Sequence, residues 1–308
     1  MRAQMRGAAL MLGAATVFAA QDGVSKHLAE LYPPAMIVMI RYWVFAAFVV
    51  TLSTRRPGGV RAAAQSQSPV LQITRGVLLA GQIMLVIWVF AELGLAATHA
   101  IVAVYPLMIA ALGAFVLGER LDRGRWAAIG VGFLGVLIIL RPGVQAIDPW
   151  ALVALACAAM FAVYGVMTRV VGQVDGAATS FFYTGVAGAA GASLVGPFFL
   201  APMAPADWPW MAALCASGVL GHFLLIKAYE AAEAARLQPY AYWQLALVTA
   251  IGVVIFDEPL TPWLLIGGGL IVAAGLVTAA RDQRDGAAPS KLPPAGASAP
   301  GREGHGRA

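Results

Sequence analysis

The chain has 308 residues, 60% of them hydrophobic and only 11% charged, with a net charge of +5 and a mean hydropathy of +0.79. Soluble domains carry about 25% charged residues, so a water-facing globular surface is excluded and an all-α integral membrane protein is expected. The positive balance follows from where the arginines fall along the chain and is not read as a nucleic-acid footprint.

A hydrocarbon core of about 30 Å needs roughly 20 apolar residues per helix. Ten apolar runs are predicted as transmembrane helices: 7–28, 34–53, 70–92, 96–118, 125–141, 149–168, 177–200, 208–228, 234–256 and 262–280. The first run is too long, and too tightly followed by another span, for a cleaved signal peptide. Residues 1–6 read as a cytoplasmic N-terminus and 282–308, rich in Pro, Gly and Ala, as a disordered cytoplasmic tail. With the N-terminus inside, all but Lys26, Arg41 and Arg141 of the 20 basic residues fall on the inner side, Arg75 included. The positive-inside rule therefore predicts N-in and C-in.

The chain repeats itself weakly. Leu95 to Leu121 returns at Ala234 to Leu260, with Ala96/Ala235, Ala111/Ala250, Gly113/Gly252, Glu119/Glu258 and Leu121/Leu260 identical at one offset. A two-residue deletion then aligns Trp126/Trp263, Gly130/Gly267 and Gly132/Gly269. Repeats must be settled before other features are read. They predict two halves, 7–141 and 142–281, of five helices each. An odd number of spans makes the second half enter from the opposite side, so the repeats are inverted. That arrangement recurs in secondary transporters, with the site at the repeat interface near the midplane.

Ionisable residues inside spans are costly and usually face the bundle interior or a wet cavity. Asp22 and Arg41 flank the turn near Leu31–Tyr32 at matching depth, so an Asp22–Arg41 pair is expected; a local Asp22–Lys26 pair at i,i+4 and snorkelling of Arg41 are the alternatives. Glu92 and Trp88, one turn apart at the end of the third span, could present an acid and a ring from outside, or could be an interfacial belt. Gln238, Pro239, Tyr240, Tyr242, Trp243 and Gln244 open the ninth span, and His99, Tyr105 and Pro106 lie in the fourth. Pro106 and Pro239 free backbone carbonyls that must find another partner or line a cavity. Tyr164 falls opposite Asp22, and Tyr183 opposite Arg41, when the halves are overlaid. Glu119 and Glu258 read as structural helix ends.

Enzyme signatures are absent: there is no HExxH, P-loop or GxSxG, and His27, His99, His222 and His305 lack ligand spacing. No metal, cofactor or nucleic acid is implied. A buried His222 reads more readily as satisfied by a backbone carbonyl than as a proton relay. Gly130-Val-Gly132-Phe-Leu-Gly135 matches a dinucleotide fingerprint in letters only, since it lies inside an apolar run. Close helix packing accounts for it and for Gly185, Gly188 and Gly191. Cys157 and Cys215 read as small packing residues.

Ten spans in two inverted halves, each with an apolar run, a Glu and a glycine-rich helix, resemble the drug/metabolite transporter superfamily and its EamA-type domain. Some strings are similar to the uptake carriers for riboflavin and S-adenosylmethionine: Asp22-Gly-Val-Ser-Lys26, Arg41, Thr74-Arg-Gly76, Leu225-Ile-Lys-Ala-Tyr229, Tyr240 and Gln244. The resemblance implies an inner-membrane secondary transporter that moves a small metabolite by alternating access. Riboflavin or a similar heteroaromatic is the expected substrate, taken up past the rings of Trp43, Trp88, Tyr105, Tyr164, Tyr183, Tyr240 and Trp243. Uptake of S-adenosylmethionine, export of an amino acid or drug, a proton coupled through Asp22 or Glu92, and a homodimer stay open. A membrane enzyme would need a convergent acid, base or metal set, and none is legible.

Overall fold

The computed structural model describes residues 2–116, 121–141, 148–231 and 234–286. Its helices are α1 (Arg2–Ala29), α2 (Pro34–Thr54), α3 (Gly59–Ala64), α4 (Pro69–Leu93), α5 (Leu95–Val102), α6 (Tyr105–Val116), α7 (Arg123–Leu140), α8 (Pro149–Val171), α9 (Ala177–Val195), α10 (Trp208–Ala231), α11 (Ala234–Phe256) and α12 (Pro262–Gly286), with a 3-10 turn at Gly196–Phe199. No strand occurs among the described residues. Eight stretches are long and apolar enough to cross a membrane, from Met5–Ala29 to Trp208–Leu225; Tyr242–Phe256 and Pro262–Thr278 are shorter apolar stretches. Glu119 and residues 287–308, with the expected disorder of the tail, lie outside the described residues, as do the side chains of Tyr229, Gln238 and Pro239.

Local chemistry sets the helix starts. Proline opens α2, α4 and α8, where its missing N–H would be unpaired anyway. Asp122 caps α7 by accepting from the Arg125 N–H at 2.6 Å, and Asp148 caps α8 by accepting from the Trp150 N–H at 2.8 Å. The predicted fourth span is broken: α5 ends at Val102 and α6 begins at Tyr105. Pro106 cannot donate to the carbonyl four residues back, and the chain turns there through a Val104 N–H to Ile101 carbonyl bond of 3.3 Å.

Small residues let the helices close on one another. A β-carbon on Gly135 would stand 2.5 Å from the Gly267 carbonyl oxygen, and one on Gly267 would strike that of Gly135; α7 and α12 therefore meet backbone to backbone. On α9, Gly185 lies against Val49, Gly188 against Tyr42 and Gly191 against Val77, so this face seats α2 and α4. Gly132, Gly135, Gly185, Gly188 and Gly191 pack helices, as expected, whereas Gly130 is exposed with nothing within 4 Å of its side-chain position. Cys157 and Cys215 are buried and unpaired. Around them α1 packs on α10 and α11, and α4 lies between α8 and α9.

Candidate functional site

A small cleft of about 30 Å³ opens between α2, α4, α9 and α10, lined by Arg41, Tyr42, Phe45, Thr184, Gly218 and His222 among others. A volume of that size has room for a water molecule or two and is smaller than small-molecule sites usually are. Arg41 stands roughly 10 Å into its helix, at 1.5 Å per residue. Among the described residues its guanidinium makes no hydrogen bond or ion pair. The walls are aromatic: the Phe45 ring centroid is 5.4 Å from that of His222, and 5.1 Å from that of Phe181 edge-on. His222 Nδ1 is held by the Gly218 carbonyl at 2.8 Å. The backbone-satisfied reading of His222 thus holds, yet the ring also faces the cleft.

The expected Asp22–Arg41 pair does not form. Asp22 Oδ2 accepts from Gln244 Nε2 at 2.9 Å and lies 3.2 Å from His99 Nε2, near enough for an ion pair but not aligned as a hydrogen bond. The cause is rotation about the helix axis. Depth on two antiparallel neighbours matches, but α1 packs on α10 and α11, so Asp22 turns toward α11 and the broken α5. The mid-span Gln244 has the polar neighbour its position demanded. Snorkelling of Arg41 is also not observed, since it lines the cleft.

The local Asp22–Lys26 pair is absent too. Lys26, 5% exposed, forms an ion pair with Glu258, and its ammonium lies 4.4 Å over the Phe256 ring. Glu258 also accepts from the Leu95 N–H at 2.7 Å and the Ala96 N–H at 2.9 Å, capping the free N–H groups of α5. Gly94, at φ +91° with Glu258 against it, leaves no room for a side chain. Glu258 is structural, as expected: it follows the end of α11 at Phe256 and ties α1 to α5.

Arg75 corrects the count of inner-loop basic residues. It is 2% exposed inside α4. Nη1 donates to Tyr164 Oη and Thr168 Oγ1, both at 3.2 Å; Nη2 donates to Gln72 Oε1 at 2.9 Å, the Ser180 carbonyl at 2.7 Å and Thr184 Oγ1 at 3.1 Å. Gln72 Nε2 in turn donates to Asp175 Oδ2 at 2.8 Å. Burial pushes the Asp175 carboxyl up, but hydrogen bonds from Ser66, Gln72 and the Gln67 N–H outweigh it and hold it below the usual carboxylate range. Reasoning from the sequence named the Thr74-Arg-Gly76 string but gave Arg75 no role; its place a turn and a half past Pro69, inside a span, was the available signal.

The other expected residues are not brought into the cleft. Trp88 is 43% exposed on the bundle surface, 5.8 Å between centroids from Trp150, and Glu92 is exposed. Tyr240 and Trp243 are 39% and 46% exposed, Trp243 Nε1 donating to Thr16 Oγ1 at 3.3 Å. Tyr105 packs edge-on to Phe161 at 4.7 Å, Tyr164 stacks on the same ring at 5.6 Å while bonding Arg75, and Tyr183 donates to the Ala64 carbonyl at 2.9 Å. In their place the cleft offers Tyr42, Phe45 and Thr184. Among the described residues no group of three or more His, Cys, Asp or Glu is placed to hold a metal ion.

The profile of the EamA-like transporter family matches residues 5–141 and 148–280. A riboflavin transporter of Vibrio cholerae is 26% identical over 281 residues, 87% of this chain and 91% of that one. An S-adenosylmethionine uptake transporter of Rickettsia felis is 24% identical over 259 residues, 83% of this chain and 86% of that one. A crystal structure with 22% sequence identity shares the fold at a TM-score of 0.60, over 92% of this chain and 98% of that one.

Proposed function

The chain belongs to the EamA-like transporter family, and from that premise we propose that it takes up riboflavin or a closely similar neutral heteroaromatic across a bacterial inner membrane. Ten spans in two inverted halves, 7–141 and 142–281, with both termini inside, rock about the cleft in alternating access. The observation that carries the substrate is the unpaired Arg41 guanidinium between aromatic walls, while Asp22 is already engaged by Gln244 and His99. A guanidinium offers five N–H donors and repels cations. Flat rings stack on Tyr42, Phe45 and His222, and acceptors on the ring system meet Arg41. S-adenosylmethionine carries a sulfonium and an ammonium, which would require a free carboxylate in the cleft; the lining includes none.

Asp22, Arg41 and Gln244 are the working residues of this reading. Asp22 and His99 would carry the proton of a coupled cycle, because both lie on helices beside the α5–α6 break. The test is growth of a riboflavin auxotroph lacking its own importer, with this chain supplied. Growth on low riboflavin, lost in Arg41→Ala at equal membrane abundance, is the expected result. Absence of growth despite correct insertion would remove riboflavin uptake and bring S-adenosylmethionine uptake or metabolite export forward.

A further inference from the structure

The cleft has room for a water molecule or two, so no substrate reaches Arg41 unless one end of the bundle opens. Helix α4 marks the two ends. Arg75 lies within its first two turns, and Leu95 comes two residues after its last, which at 1.5 Å per residue sets them about 30 Å apart. Leu79 and Ile83, which line the cleft, fall between. The Arg75 end is braced: the guanidinium is 2% exposed and donates to acceptors on α4, α8 and α9. Parting those helices would leave a buried charge unmet.

The Leu95 end is closed by different chemistry. There the corner between α1 and α2 is clamped by two carboxylates. On one side Lys26 pairs with Glu258, which also accepts from the Leu95 and Ala96 N–H groups. On the other, Tyr32 Oη donates to Asp207 Oδ2 at 2.6 Å and accepts from the Ala204 N–H at 2.9 Å. Lys26, Tyr32 and Leu95 lie in the first stretch matched by the family profile, Asp207 and Glu258 in the second, so both clamps span the two halves. They also roof the cleft. The connection 200–207 joins α9 to α10, two of the cleft walls, and rests on α2, where the Ala201 N–H lies 3.3 Å from Met36 Sδ. Leu95 and Phe256 pack in the apolar cluster that holds Tyr42 and Phe45.

These contacts can be exchanged for water. The first N–H groups of a helix have no partner inside it, so releasing those of Leu95 and Ala96 breaks no helical bond. A lysine, a phenol and two carboxylates are readily hydrated once exposed. We propose that the α1–α2 corner is a gate of the cleft, latched shut by Glu258 on Lys26 and by Asp207 on Tyr32, and that this end opens when both carboxylates release. This rests on the alternating-access reading above, and it adds which end parts and which groups hold it.

The chain carries its own reporters, since Cys215 lines the cleft while Cys157 is wholly buried in α8. The rate at which a maleimide labels Cys215 is measured in the purified full chain with Cys157→Ala and no substrate. Labelling of Cys157 in a Cys215→Ala companion gauges general unfolding. Tyr32→Phe removes one latch and Glu258→Gln weakens the other. Cys215 labelling is expected to rise at least about threefold in the first and about tenfold in the second, with Cys157 still slow. Asp175→Asn, at the braced end, is expected to leave both rates as they are. Unchanged Cys215 labelling in either latch variant would overturn the gate, as would equal acceleration by Asp175→Asn or parallel acceleration at Cys157. If Glu258→Gln does not fold, Tyr32→Phe alone decides. Because labelling needs no substrate, failure of riboflavin uptake leaves the gate standing, and failure of the gate leaves riboflavin uptake standing.

Discussion

Two arginines lie within the helix bundle, on α2 and α4, and the protein treats them differently. Arg75 is enclosed by five neutral acceptors, so its charge is dispersed into hydrogen bonds that the fold supplies. Arg41 faces a cleft and, among the described residues, no acceptor bonds it. Thr184 joins the two, accepting from Arg75 at 3.1 Å and lining the cleft. A charged group taken out of water costs several kcal/mol unless its donors are met. The fold meets most of that cost at Arg75, where Nη1 and Nη2 are bonded and only the buried Nε lacks a partner, and leaves it open at Arg41. The first arginine is part of the architecture; the second is left facing the cleft.

That contrast is sharpest when each side chain is removed. Arg75→Met leaves Tyr164, Thr168, Gln72, Ser180 and Thr184 without their donor, and is expected to destabilise the protein by about 3 kcal/mol or more. In a detergent melt this is read as a fall of at least about 6 °C, with transport lost alongside. Arg41→Met removes a charge without stranding any partner, so the melting temperature is expected to stay or rise while riboflavin uptake disappears. Equal melts for the two variants would break the distinction.

Smaller effects probe the Asp175 end of the Arg75 network. Asp175 is held low by Ser66, Gln72 and Gln67. A carboxylate with a depressed folded pKa contributes stability above its unfolded value, near 3.9, and loses it as pH falls through the folded value. A melt across pH 3 to 7 should therefore be flat at the upper end and decline below about pH 4. Asp175→Asn should cost about 1 kcal/mol at neutral pH and remove part of that acid decline. Tyr183→Phe, which deletes one bond to the Ala64 carbonyl, should cost about 0.5–1 kcal/mol. Trp88→Phe is expected to change uptake least, since Trp88 is on the surface against Trp150; a large loss would place it back in the path.

Much of the architecture was legible because it rests on local signals. Apolar runs, prolines at helix starts and glycine-rich faces on α7, α9 and α12 do not depend on knowing the neighbours. The break at Pro106 was foreshadowed by a proline in mid-span, and a polar partner for Gln244 by its position. The site was less legible, for a geometric reason. Sequence places Asp22 and Arg41 at equal depth but says nothing of how each helix is rotated. Asp22 turned out to face Gln244, 222 positions away, and Lys26 to face Glu258, 232 positions away. Arg75 reads as an inner-side residue in the sequence because the positive-inside rule counts charges near helix ends without asking whether they point into the bundle.

The account turns on Arg41 as the group that meets the substrate. Uptake of labelled riboflavin into proteoliposomes, measured for the unaltered chain and for Arg41→Met at matched protein and with matched melting temperatures, tests it most directly. Saturable uptake by the unaltered chain that vanishes in the variant, with no loss of thermal stability, is the predicted result. Uptake that persists unchanged in Arg41→Met would show that the unpaired guanidinium does not touch the substrate, and would contradict the account.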